Sequence, residues 1–110
     1  MKFKLQLLIY FLLTVTLFPH VSANPLANPA IQSPEIARSY RQNCSHCHSG
    51  NAPSAPRIGD TAAWTSRLLT GFNQIYHSSI NGVANTAMLA KGGHTELSDD
   101  QIKTLVDYML

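Results

Sequence analysis

Apolar residues in the C-terminal part of the chain recur with the period of a helix. Ile102, Leu105, Val106 and Met109 fall at i, i+3, i+4 and i+7, one stripe on an amphipathic surface. Ser98 and Gln101 stand where a capping box would start that helix, and Leu97 and Ile102 sit at the positions of a hydrophobic staple. A second helix is announced by Ser33-Pro34-Glu35, a cap followed by a first-turn proline and an acid. Ile36, Tyr40, Cys44 and Cys47 continue it at helical spacing. Between the two, Asp60 or Thr61 starts a short helix through Trp64, Leu68 and Leu69 that stops at Gly71. Another runs from Phe72 to Ile80 and ends at Asn81-Gly82. Residues 49–59, with Pro53 and Pro56, and residues 81–93 read as loops. No segment alternates with period two over the length of a strand, so the pattern predicts an all-α domain without repeats.

The N-terminal pattern is of another kind. Lys2 and Lys4 precede a mainly apolar run from Leu5 to Phe18, Pro19 ends it, and Val21-Ser22-Ala23 offers small residues for cleavage. The run is short for a spanning helix, which needs about 20 apolar residues. Residues 1–23 are therefore expected to be a signal peptide cleaved after Ala23. Residues 24–32 form a flexible start, and residues 33–110 one domain working in the periplasm. An uncleaved anchor is the rival reading. No cysteine lies near the cleavage site to take a lipid.

Export changes the meaning of the charge. The formal net charge is +2, but Lys2 and Lys4 leave with the signal. Arg38, Arg41, Arg57, Arg67, Lys91 and Lys103 then balance Glu35, Asp60, Glu96, Asp99, Asp100 and Asp107. Nothing in this balance offers a footprint for nucleic acid. A domain this small has a marginal apolar core of its own, so a buried prosthetic group would complete it.

The chemistry is concentrated in Cys44-Ser45-His46-Cys47-His48, which contain both cysteines of the chain. C-x-x-C-H is the attachment sequence of a c-type haem: two thiols on one helical turn add across the vinyl groups, and the following imidazole binds the iron. Cys44 and Cys47 are thus expected to hold one covalent haem c, with His48 as the proximal ligand. The second axial position is open to a methionine, a histidine or nothing. Met1 leaves with the signal and Met109 belongs to the apolar stripe, so Met88 is the candidate thioether, with a packing role as its rival. His20 belongs to the signal and His46 points away from the iron. His77 and His94 compete with Met88 for the distal position but read more simply as surface residues.

The ordered pieces YRQNCSHCH, NAPSAPRIGD, AAWTSRLLTG, INGVANTAMLAKGG and LSDDQIKTLVDYM, spanning residues 40–109, resemble the class I c-type cytochromes, and among them the small bacterial cytochrome c₅ group. The resemblance implies four to five helices wrapped around one covalently bound haem, with the first and last helices crossing beside it. It implies Met88 as the sixth ligand and a Pro56 carbonyl that holds the Nδ1–H of His48. Two departures stand out: Leu89 replaces a proline often found after the ligand methionine, which loosens that loop, and the second cysteine pair of some members is absent. Trp64 and Arg67 match an aromatic–basic pair of the family. A contact with the haem edge or propionates is one reading of them; core packing for Trp64 and a solvated Arg67 is the other.

A haem closed by His48 and Met88 leaves no position for substrate, so the expected function is a soluble single-electron carrier rather than an enzyme. Its partners would be a donor reductase and an acceptor oxidase or reductase, and a monomer is the default. The alternatives are a haem sensor or haem subunit of a larger enzyme with a labile sixth ligand, a thiol–disulfide oxidoreductase using Cys44 and Cys47, and a zinc module. The second lacks strand–helix alternation; the third lacks a zinc spacing. Without haem, the chain is expected to leave an apolar cavity facing Cys47, His48 and Met88.

Overall fold

The computed structural model describes residues 32–110, so the signal segment, the cleavage point after Ala23 and residues 24–31 lie outside the described residues. Five α-helices and one 3₁₀ turn make up the described part: α1 Pro34–Asn43, α2 Ser45–His48, α3 Thr61–Leu68, α4 Phe72–Asn81, the 3₁₀ turn Ala90–Gly93, and α5 Asp99–Met109. Among the described residues there is no strand, and no helix is long and apolar enough to cross a membrane. The all-α expectation holds.

Most boundaries fall where the sequence puts them. Ser33 caps α1 by accepting from the Ile36 amide at 3.3 Å, and Asp60, rather than Thr61, caps α3 by accepting from Ala63 N at 3.0 Å. Both arms of the Ser98–Gln101 capping box are formed, at 2.8 and 3.2 Å. Two differences appear. The first helix does not run through both cysteines: it breaks at Cys44 (φ −125°, ψ −31°) and resumes as the single turn α2. Polar side chains take the carbonyls that a continuing helix would use. Asn43 Nδ2 donates to Ser39 O at 2.9 Å and Ser45 Oγ to Arg41 O at 2.7 Å. The second difference is the 3₁₀ turn inside the expected loop 81–93, where Lys91 and Gly92 take positive φ of 55° and 62°.

The core lies where α1, α3 and α4 meet α5. Tyr40, Trp64, Ile75, Leu105, Val106 and Met109 form one buried cluster, with Ile36, Cys44, Leu68 and Leu97 packed against it. Tyr40 and Tyr108 join α1 to α5, with ring centroids 5.5 Å apart. Met109 is therefore a core residue, as its place on the stripe implied. Burying the four stripe residues of α5 contributes about 1.5–3 kcal/mol each, and this helix organises the rest.

Candidate functional site

Cys44, Cys47 and His48 come together through the break in the first helix. The Cys44 carbonyl accepts from Cys47 N at 3.2 Å and from His48 N at 3.0 Å, which winds the five-residue motif into one tight turn. Both cysteines are free thiols and half-buried. Burial and the adjacent Cys47 push the Cys44 thiol up to about 11. His46 points to solvent, as expected, whereas His48 is buried.

The imidazole of His48 has a defined tautomer. Its Nδ1 lies 2.7 Å from the Pro56 carbonyl oxygen. A carbonyl can only accept, so Nδ1 carries a proton, and in the neutral ring Nε2 is the atom left with a lone pair. The strap 56–58 that supplies this acceptor is tied back to the motif by Ile58 N, which donates to His48 O at 2.9 Å. Gly59 N in turn donates to Met109 O at 3.0 Å, anchoring the strap to α5.

Met88 sits half-buried in the loop between α4 and the 3₁₀ turn. Its carbonyl accepts from Val83 N at 2.9 Å, its amide donates to Thr86 Oγ1 at 3.1 Å, and Thr86 N and Oγ1 both reach Val83 O, at 3.2 and 2.8 Å. Gly82, with φ +81°, lets this loop approach closely: a Cβ there would lie 2.9 Å from Met88 O and 2.8 Å from Ala90 N. Beyond the loop, Lys91 Nζ donates to Leu97 O at 2.7 Å and pairs with Asp99 at 2.9 Å. These contacts tie the loop that carries both Met88 and Leu89. Sequence reasoning missed them, although the Asn81-Gly82 pair signalled a special backbone conformation.

Among the other residues, His77 is exposed. His94 is half-buried and turned to Glu96, 3.2 Å away. The Glu96 carboxyl is held below its usual range by a backbone hydrogen bond and by this histidine. Trp64 is buried, with its Nε1 donating to Arg57 O at 2.8 Å. Arg67 is exposed and donates to Ala63 O at 2.8 Å and Ser54 O at 3.5 Å. A cavity opens beside Trp64 on α3. It is a groove of about 500 Å³ between α3, α4 and α5, lined by Trp64, Leu68, Phe72, Tyr76 and Asp107 among others.

The residues present fit a covalently held haem. Two unbridged thiols on one turn and a buried imidazole held at Nδ1 are donors of the kind such a group takes, and Met88, on a loop tied through its backbone, would offer a thioether. The Tyr40 hydroxyl is buried with no hydrogen-bond partner among the described residues, and burial first, then the Cys44 thiol, raise its pKa. That leaves a polar atom near the first attachment point.

Comparison with known proteins agrees with this chemistry. A family model described as cytochrome c oxidase, cbb3-type, subunit III matches residues 32–109. Cytochrome c-555 of Chlorobaculum tepidum is 40% identical over 73 residues, covering 64% of this chain and 68% of that protein. Cytochrome c5 of Ectopseudomonas mendocina is 36% identical over 70 residues, covering 62% and 78%. Cytochrome c5 of Azotobacter vinelandii is 34% identical over 68 residues, covering 60% and 80%. With its all-helical fold, its C-x-x-C-H turn and these relatives, the chain belongs to the class I c-type cytochromes, electron carriers whose haem c is bound covalently.

Proposed function

We propose that this cytochrome is a soluble single-electron shuttle of the periplasm. In this reading Cys44 and Cys47 would hold its haem covalently, and His48 and Met88 would ligate the iron. The observation that carries the reading is the 2.7 Å contact from His48 Nδ1 to the Pro56 carbonyl, which leaves Nε2 as the ring's only free donor atom. Such a hydrogen bond also raises the basicity of a metal-bound imidazole. When bound, the haem supplies a one-electron couple, which a thioether on the second side biases toward ferrous iron. The chain orients the imidazole, braces Met88, and buries the proximal side behind Trp64 and α5.

The surface around Met88 suits brief contact with another redox protein. There is no Asp, Glu, Lys or Arg between Arg67 and Lys91, while Val83 and Leu89 stand 42% and 62% exposed. Docking there depends on apolar contact rather than on charge, and its partners are a donor reductase and an acceptor oxidase or reductase.

Carbon monoxide binding to the reduced protein tests this closed site. Slow or absent binding by the wild type is expected, with rapid binding and a lowered reduction potential in Met88→Ala. Rapid binding by the wild type, unchanged in Met88→Ala, would refute it. A second reading, a haem subunit within a larger oxidase, draws on the description of the matching family model. Purification of the native protein as a single small species excludes it; co-purification with oxidase subunits supports it.

A further inference from the structure

Two aromatic rings and a short strap are locked together on the His48 side of the site. The imidazole of His48 and the indole of Trp64 lie nearly parallel, 17° apart, with centroids separated by 6.3 Å, in the range of offset stacking. Two consecutive carbonyls serve the two rings: Pro56 O accepts from His48 at 2.7 Å and Arg57 O from Trp64 Nε1 at 2.8 Å. The next amide, Ile58 N, closes the strap onto His48 O. Trp64 is itself fixed, 4% exposed, with its main-chain N donating to Asp60 O at 3.0 Å. A buried indole needs some acceptor for its N–H, and packing alone would explain that. Packing does not explain why the acceptor is the carbonyl next to the one that orients His48, nor why the ring runs nearly parallel beside that histidine.

We infer that Trp64 is a positioning residue for His48. Its N–H pins the 56–58 strap, so that the Pro56 carbonyl keeps the Nδ1 proton, and its ring packs beside the imidazole on that flank. The inference rests on His48 being the proximal ligand. With the strap loosened, Nδ1–H loses its acceptor, the imidazole becomes a poorer donor, ferric iron is less stabilised and the reduction potential rises.

The test follows the His48 Nδ1 proton by NMR in the haem-loaded, reduced protein, together with the midpoint potential. Trp64→Phe keeps an aromatic ring beside His48 but leaves Arg57 O without its donor. Exchange of the Nδ1 proton should then be on the order of tenfold faster, the factor set by losing one hydrogen bond of about 1.4 kcal/mol. Trp64→Leu removes the ring as well and should accelerate exchange further, and both variants should raise the potential. Ile75→Ala, in the core on α4, measures plain destabilisation; it should lower the melting temperature while leaving potential and Nδ1 exchange as in the wild type. If the Trp64 variants move only as Ile75→Ala does, Trp64 is a packing residue and the inference fails. Should Trp64→Leu not take up haem, Trp64→Phe decides alone. A wild-type protein whose His48 ring protons lack the large upfield shift of an axial ligand would instead refute the ligand reading, before any variant is compared.

Discussion

Replacing Gly82 by alanine should open the distal side of the haem, and the size of the effect follows from two glycines that differ in one respect. Gly82 (φ 81°, ψ 175°) and Gly71 (φ 92°, ψ 153°) both occupy a backbone region nearly closed to other residues. A methyl group at either position costs about 1–3 kcal/mol in backbone strain. At Gly71 the added Cβ meets nothing within 4 Å. At Gly82 it meets Ala90 N at 2.8 Å, Met88 O at 2.9 Å and Leu89 C at 3.1 Å. These are main-chain atoms of the segment that carries Met88, and they move only if the loop moves. Overpacking of this kind adds about 1–3 kcal/mol, bringing Gly82→Ala to about 2–6 kcal/mol in total. The increment falls on the loop, so release of Met88 should become about 5- to 150-fold more favourable than in Gly71→Ala. Stopped-flow binding of carbon monoxide to the reduced variants reads that release, and thermal unfolding reads the shared strain. Equal melting temperatures with equally slow binding in both variants would show that the close approach at Gly82 does not hold Met88.

Three other outcomes are expected. His77→Ala and His94→Ala should leave the visible spectra of both oxidation states unchanged, since one ring is exposed and the other faces Glu96; a lost or shifted low-spin spectrum in either would make that histidine a ligand. Electron self-exchange between two copies should vary by less than about twofold as the Debye length falls from about 30 Å to about 3 Å with added salt. Leu89→Glu should introduce a salt dependence, and a steep dependence in the wild type would refute the uncharged docking surface. Burial, and then the 2.6 Å hydrogen bond to Asp107, push the Tyr76 phenol up to about 12. Its proton is thus held more tightly in the folded state, and that contribution is complete below the ordinary tyrosine value of about 10 and lost as pH rises toward 12. The melting temperature should fall over this window more steeply in the wild type than in Tyr76→Phe; parallel curves would contradict the assignment.

The helices were legible because their ends carry their own chemistry. Ser33, Asp60 and Ser98 announce starts that depend on hydrogen bonds three residues away, and the stripe of α5 needs only its own periodicity. The break at Cys44 was not legible, because it comes from Asn43 and Ser45 competing for carbonyls that a regular pattern assigns to the backbone. Of the site, Cys44, Cys47 and His48 were readable as a contiguous motif whose chemistry dictates its spacing. Met88 could be picked out by elimination among the methionines, with the resemblance strengthening the choice, whereas Pro56 came from the resemblance alone, since its link to His48 is made in space. The stacking of Trp64 on His48 has no signal in the sequence: an indole that is both core residue and neighbour of a ligand looks like any other tryptophan at helical spacing.

The contact between Tyr40 on α1 and Tyr108 on α5 joins the two outer helices of the domain. Nearly the whole domain lies between them, and closing so long a loop of free chain costs on the order of 4 kcal/mol of entropy. That cost falls early on any folding route that starts from this pair, so the domain should fold more slowly than a helical bundle built from neighbouring hairpins. The same arrangement makes the chain tolerant of being opened elsewhere. A cut in the exposed turn at Leu69-Thr70 would leave one fragment bearing the haem and α1 and another bearing α4 and α5. Each would hold half of the tyrosine contact, and the two would reassemble by the same surface that closes the intact chain.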